Sequence, residues 1–258
     1  MNIVVSYVYY KSESADYNLR FFVENELSYR NSIDYIIVIN GYECSIDIPE
    51  LENVKVIKRE NIGYDFGGHA ASLCEMEKTY DYYFFMNSGV IGPIIPEYLK
   101  SLNVHWSNFF YKKLNSSIKL VGTSIVCLPS YDSGKYGPKI ESFFFCTDNI
   151  GLKLLIDDGR IFRNHKNKYL AIVNGEYGIS RCILKNGYNL DCMISKYQGI
   201  NWRDKTVWNS NNNLHPSRNK SFFGESLNPY ELIFHKWYWH NNETVNYEMI
   251  KQYVNNIC

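Results

Sequence analysis

Hydrophobic positions change their period along the chain, and the changes mark the elements. Residues 3–9 are a short run of β-branched and aromatic side chains and read as a buried strand. Over 13–30, Leu19, Phe22, Val23 and Leu27 share one helical face. Strands follow at 35–39, closed by Asn40 and Gly41, and at 54–57. The stretch 67–78 reads as a helix with Ala70, Ala71, Leu73 and Cys74 inward. Residues 82–86 are wholly apolar, which predicts a central strand. Strands separated by helices of this length predict βαβ units around a mostly parallel sheet.

The second half has a different texture. Pro93 and Pro96 mark a loop, 97–114 reads as helical, 120–128 as a strand and 130–138 as a loop. An apolar strand is expected at 141–146 and a helix beginning at 151–156. Residues 174–187 read as a helix closed by Gly187, with a late strand at 188–194. The polar stretch 199–229, nearly all Asn over 209–213, reads as a long loop of the kind that forms lids or binding loops. An aromatic run at 234–240 then returns to the body. With no repeat or low-complexity linker, 258 residues predict one domain over 1–258.

Composition narrows the partners. Lys and Arg total 27 and Asp and Glu total 27, so the formal net charge is zero and a general nucleic-acid binder is disfavoured. No apolar run approaches the roughly 18 residues of a membrane span. The N-terminus lacks a basic region and a small-residue cleavage site, so it reads as a strand and not a signal peptide. The seven cysteines are odd in number and contain no C-x-x-C pair, which favours a reducing compartment and a cytoplasmic location. Sequons at Asn115, Asn219 and Asn242 then read as chance in an Asn-rich chain. The 23 tyrosines suit a cleft that stacks sugars or bases, and equally fit a compositional bias toward Asn, Tyr, Ile and Lys.

Three constellations carry candidate chemistry. Asn61-Ile-Gly-Tyr-Asp65-Phe-Gly-Gly68 follows a strand and opens a helix, where glycines permit close ligand approach and the helix start favours an anion. It is neither G-x-G-x-x-G nor a Walker loop, and it equally fits a βα turn with an Asp cap. Phe84 to Pro93 carries a buried strand that ends in Asn87, Ser88 and Gly89, and the carboxyl ends of such strands border the ligand crevice of open α/β sheets. Glu176 leads the 174–187 helix, sharing a face with Ser180 and Ile183, and suits either a general base or a capping carboxylate. Glu141 and Asp148 bracket a buried strand end. His235 and His240 flank Lys236, where packed core histidines are the alternative to ligands. No G-x-S-x-G elbow is present.

The order of these motifs resembles that of GT-A glycosyltransferases. More narrowly, Asn61 to Asp65, Phe85 to Pro93 and Pro229-Tyr-Glu231 resemble small glycosyltransferase-like proteins of large DNA viruses, algae and fungi, and are similar to bacterial rhamnan-synthesis transferases. The resemblance covers about residues 1–240. It implies a GT-A type, Rossmann-like α/β/α sandwich with a mixed, mostly parallel sheet. Residues 1–92 would form the nucleotide-sugar half and 93–258 the acceptor half, in a cytoplasmic enzyme (host cytoplasm for a viral protein). The donor, with UDP-sugars the first expectation, would meet Tyr7, Tyr9, Asn61, Gly63 and Asp65. Asn87, Ser88 and Gly89 stand where most such enzymes carry Asp-x-Asp, the ligands of Mn²⁺ or Mg²⁺. The two carboxylates are missing here, so a weak metal site, or none, stays open, with His235 or His240 as a possible ligand. Glu176 would be the base of an inverting transfer, although Glu-Tyr replaces the usual Glu-Asp, and Lys236 would neutralise the diphosphate. The glycan acceptor would meet Glu141 and Asp148 and stack on Trp202, Trp208, Trp237 or Trp239. A non-catalytic nucleotide- or carbohydrate-binding module of the same fold is the alternative. A nucleotidylyltransferase would need a Gly-rich basic loop after the first strand, and Tyr7 to Ser12 contains no glycine.

Overall fold

The computed structural model describes residues 1–27, 33–102, 104–128, 136–208, 214–238 and 243–254, with backbone alone for 243–247. Among these the strands are β1 (Ile3–Tyr10), β2 (Ile33–Asn40), β3 (Val54–Arg59), β4 (Tyr82–Asn87), β5 (Ile118–Gly122), β6 (Ile125–Val126), β7 (Lys139–Ile140), β8 (Phe144–Asp148) and β9 (Asn189–Cys192). The helices are α1 (Glu13–Phe22), continued by a π-helical turn at Val23–Leu27, then α2 (Tyr64–Cys74), α3 (Glu97–Lys100), α4 (Ser107–Tyr111) and α5 (Asn149–Asp157). A short α6 (Lys168–Leu170) runs through a second π-helical turn, Ala171–Glu176, into α7 (Tyr177–Lys185), and α8 (Pro229–Leu232) and α9 (Glu243–Val254) follow.

Seven strands form one sheet in the order β3-β2-β1-β4-β8-β5-β9. Strand β1 lies parallel to β2 and β4, β2 to β3, and β5 to β9, whereas β8 runs antiparallel to both β4 and β5. The sheet is therefore the mixed, mostly parallel one expected, and helices cover both faces in an α/β/α sandwich. Alternation along the strands builds two cores. Val4, Val8, Ile36, Phe85 and Phe145 pack under α2, α5 and α7. Val5, Tyr7, Ile37, Phe84 and Phe144 pack under α1 and α4. A third, smaller cluster joins Phe21 and Ile91 to Trp237, Ile250 and Val254, and so ties the C-terminal helix α9, which has no expected counterpart, to α1.

Several boundaries moved for identifiable reasons. The expected strand 120–128 breaks after Gly122, where a side chain would meet Ile140 at 2.3 Å, and residues 125–126 leave to pair with β7. The strand expected at 141–146 starts at Phe144, because Phe144 N–H turns back to the Glu141 carbonyl at 3.2 Å. The helix expected over 97–114 splits into α3 and α4, since Trp106 turns inward onto Phe84 and Phe234. Of the loop expected at 130–138, residues 130–135 lie outside the described residues.

Gly63 shows why the turn before α2 needs its glycine. Its φ is +79°, and a Cβ there would stand 2.4 Å from the Cα of Asn164, which belongs to the segment that pairs with it through the Gly63–His165 bridge. A side chain adds left-handed strain and overpacks a backbone contact, together about 2–4 kcal/mol. Gly63→Ala is expected to lower Tm by roughly 5–10 °C in a scanning calorimeter. An unchanged Tm would show that the 164–165 segment does not press on this turn.

Candidate active site

The carboxyl ends of β1 and β4 open onto a loop held by short polar contacts. Asn87 braces it twice: its Oδ1 accepts from Gly89 N–H at 2.8 Å, and its Nδ2 donates to Asp65 Oδ2 at 2.6 Å. Ser88 is buried, and its carbonyl accepts from Asn18 Nδ2 at 2.9 Å. Asn18 is itself buried and uses its Oδ1 to accept from the Trp237 indole at 2.7 Å. One side chain on α1 thus joins the loop after β4 to the C-terminal segment. That segment is also paired to the loop through Ile91 N–H to His235 O at 3.0 Å and the reciprocal bond at 2.9 Å. Lys236 lies between these two anchors, its ammonium 5.6 Å from the Phe143 ring.

Charge accumulates beside this loop. Lys139 on β7 is 6% exposed and bonds to Glu176, with Glu141 at 3.9 Å and the Tyr177 ring at 4.9 Å. Burial works against the ammonium, but Glu176 and Glu141 outweigh it and hold Lys139 above its ordinary pKa. Glu141 is buried too. Desolvation pushes its carboxyl up, yet His215 at 3.5 Å, Lys139 and Lys236 overcome this and hold it at about 2. Asp65, on the first turn of α2, goes the other way. Burial is the chief cause and Glu176 adds to it, while Asn87 and Lys236 oppose, and the carboxyl is pushed up to about 6. Glu176 arrives here because Gly175 lets the π-helical turn lie on Phe66 of α2, where a Cβ would be 2.4 Å from the ring. Its side chain keeps 32% exposure, so it remains open to an incoming group.

The structure thus brings Asp65, Asn87, Glu141, Glu176 and Lys236 together, with Ser88 and Gly89 in the same loop. Lys139 and His215 join them without having been singled out. The alternation Lys139-Ile140-Glu141, charged positions on one strand face, was a usable signal for the first. His215 sits in a polar stretch with no such signal. Ser180, expected beside Glu176, is buried and accepts from Ile140 N–H at 2.8 Å, clipping β7 to α7.

Other expected positions are placed elsewhere by the fold. Tyr7 and Tyr9 point into the core beneath α1, Tyr7 against Phe22 and Tyr9 bonded to Asp16, because odd positions of β1 face that helix. Gly63 serves the 164–165 segment, and Asn61 is exposed near Gly41. Asp148 lies at the other end of the sheet: β8 is antiparallel to β4, so Asp148 pairs with Tyr82, five residues from Asn87, or roughly 16 Å along the strand. There it caps α5 and accepts from Lys119 at 2.5 Å. Trp202 is fully buried against Tyr197, and Trp237 is a buried brace on Asn18, so neither offers a face to an acceptor. His235 is 1% exposed, and burial lowers its pKa to about 4. Trp239 and His240 lie outside the described residues.

A hard divalent cation asks for several oxygen ligands, preferably charged. The Asn87 amide is engaged at both ends, Asp65 accepts from it, Glu176 and Glu141 face the Lys139 ammonium, and His235 is turned inward. Among the described residues no three His, Cys, Asp or Glu side chains gather as a cation cage. This donor set does not fit Mn²⁺ or Mg²⁺.

No protein-family model and no curated protein sequence matches the chain. Among solved structures it is similar to a mannosyltransferase from Pyrobaculum calidifontis in complex with GDP-Man and Mn²⁺, at 10% identity and a TM-score of 0.41, over 74% of this chain and 54% of that one. It is similar to the galactosyltransferase LgtC in complex with donor and acceptor sugar analogs, at 12% identity and 0.41, over 99% of this chain and 95% of that one. It is also similar to the glycosyltransferase GlyE of Streptococcus pneumoniae TIGR4, at 12% identity and 0.43, over 98% of this chain and 62% of that one.

The two shifted carboxyls act on stability in opposite senses. Asp65, raised from 3.8 to about 6, adds stability that is complete below pH 3.8 and lost as pH rises through about 6. Glu141, lowered from 4.5 to about 2, adds stability present above pH 4.5 and lost as pH falls through about 2. Carboxyl ¹³C NMR is expected to give midpoints near these values. Asp65→Asn is expected to remove the decline in Tm between pH 4 and 6, and a decline that persists would assign it to another group.

Proposed function

We propose that the chain is a glycosyltransferase that moves a sugar from a nucleoside-diphosphate sugar, UDP-linked in the first instance, to a glycan hydroxyl with inversion. The observation that carries the reading is Glu176: a partly open carboxylate held by a buried ammonium, beside Asp65 and Lys236, at the carboxyl ends of β1 and β4 where α/β sheets bind ligands. In this reading Glu176 takes the proton of the acceptor hydroxyl. The acceptor oxygen bonds to the sugar C1 as the C1–O bond to phosphate breaks, and the electron pair leaves on the diphosphate. Once Glu176 is protonated, Glu141 still balances Lys139, so the proton transfer strands no buried charge. The missing carboxylates at Asn87 and Gly89 favour the second reading, a binding module of the same fold that holds a nucleotide or glycan without turnover.

A thermal-shift panel with UDP, GDP, CMP and dTDP separates these readings from an unrelated function. A ligand at about 100 times its Kd adds roughly 2.7 kcal/mol, or several degrees of Tm. One nucleotide is expected to shift Tm selectively. Glu176→Gln is then expected to bind that nucleotide as well as the parent does while losing about 10²–10⁴-fold in turnover of the matching nucleotide sugar. Full activity in Glu176→Gln would remove it as the base, and binding without any turnover in the parent chain would favour the module.

A further inference from the structure

We infer that Lys236, in place of a divalent cation, meets the charge of the departing diphosphate, so that donor binding is metal-independent; this rests on the transferase reading above. The loop that would carry metal ligands is already committed elsewhere. Asn87 spends its amide oxygen on Gly89 N–H and its amide nitrogen on Asp65. Position 89 has no side chain, and a Cβ there would stand 2.8 Å from Asn87 Oδ1, so a second ligand at 89 is incompatible with the brace. Ser88 is buried, with its Oγ 3.4 Å from Tyr10 N. Glu141 and Glu176 face the Lys139 ammonium, which would repel a second cation, and Asp65 already accepts from the Asn87 amide.

Lys236 has the placement this role requires. Its neighbour His235 is paired in both directions with Ile91, three residues beyond Ser88. Its other neighbour Trp237 is bonded to Asn18, the same side chain that holds the Ser88 carbonyl. The backbone carrying the ammonium is therefore fixed to the diphosphate-facing loop from both sides, and the charge needs little reorganisation when the C1–O bond breaks. A lysine acts on phosphate as a compact point charge, so its position matters more than its orientation.

The test is calorimetric titration with UDP, GDP, CMP and dTDP, each in EDTA and in Mn²⁺, alongside the corresponding nucleosides. The selected nucleotide is expected to bind within a few-fold of the same Kd in both buffers. Lys236→Gln is expected to weaken it by about tenfold or more, Lys236→Arg to restore most of the affinity, and nucleoside binding to be equal in all three proteins. Equal nucleoside binding shows that the variants remain folded. Nucleotide binding that is lost in EDTA and restored by Mn²⁺ overturns the inference and leaves the transferase reading standing, as does a Lys236→Gln protein with parental affinity. No binding by any of the four nucleotides in either buffer removes the transferase reading, and the inference falls with it.

Discussion

A buried ammonium must be surrounded by opposite charge or give up its proton, and Lys139 has little contact with water. That requirement draws together parts of the chain that have no other reason to meet. Strand β7 supplies the lysine, the turn before β8 supplies Glu141, and the π-helical turn before α7 supplies Glu176. His215 closes the group from a segment without regular structure. Glu141 is costly to bury alone and is held by His215 and Lys139, and the partly open Glu176 meets the same ammonium. The partly open member is Glu176, and the buried Lys139 holds it in place.

Asn18 plays the corresponding part for the opposite wall of the site. It lies on α1, remote in sequence from both partners, and offers its two amide ends to Ser88 and Trp237. A buried amide with both ends paired is specific in a way an apolar contact is not, because only one mutual placement satisfies both bonds. The loop after β4 and the segment carrying Lys236 are tied to each other, which places a cation beside a loop that ends in Asn87, Ser88 and Gly89.

The sheet makes this convergence possible. Strands β1 to β4 deliver their carboxyl ends to one edge in the ordinary parallel manner. Strand β8 then enters between β4 and β5 in the reverse direction. Its amino end therefore lies at the edge formed by the carboxyl ends of β1 and β4, which brings Glu141 to the candidate site and sends Asp148 to the far side. Two carboxylates that bracket one strand are separated by its whole length, and only the strand's direction decides which of them reaches the candidate site.

Local pattern by itself determined the strands of the first half, the helices between them and the mixed α/β class, because runs such as 3–9 and 82–86 can be buried only in a sheet covered on both faces. It also marked Asp65, Asn87, Glu176 and Lys236, since each sits at a strand end, a helix start or within a distinctive aromatic run. What it left undecided is whatever depends on a partner distant in the chain. Aromatic side chains read as ligand contacts, at Tyr7, Trp202 and Trp237, are core or brace in the fold, because a ring looks the same in sequence whether it faces a ligand or another ring. The glycines of 61–68 fit an anion loop and a packed turn equally well, and the 164–165 segment, a hundred residues on, decides for packing. Lys139 and His215 take their importance entirely from neighbours that only tertiary structure supplies, because the free energy of a buried charge is set by what surrounds it in space and not by the residues on either side of it in the chain.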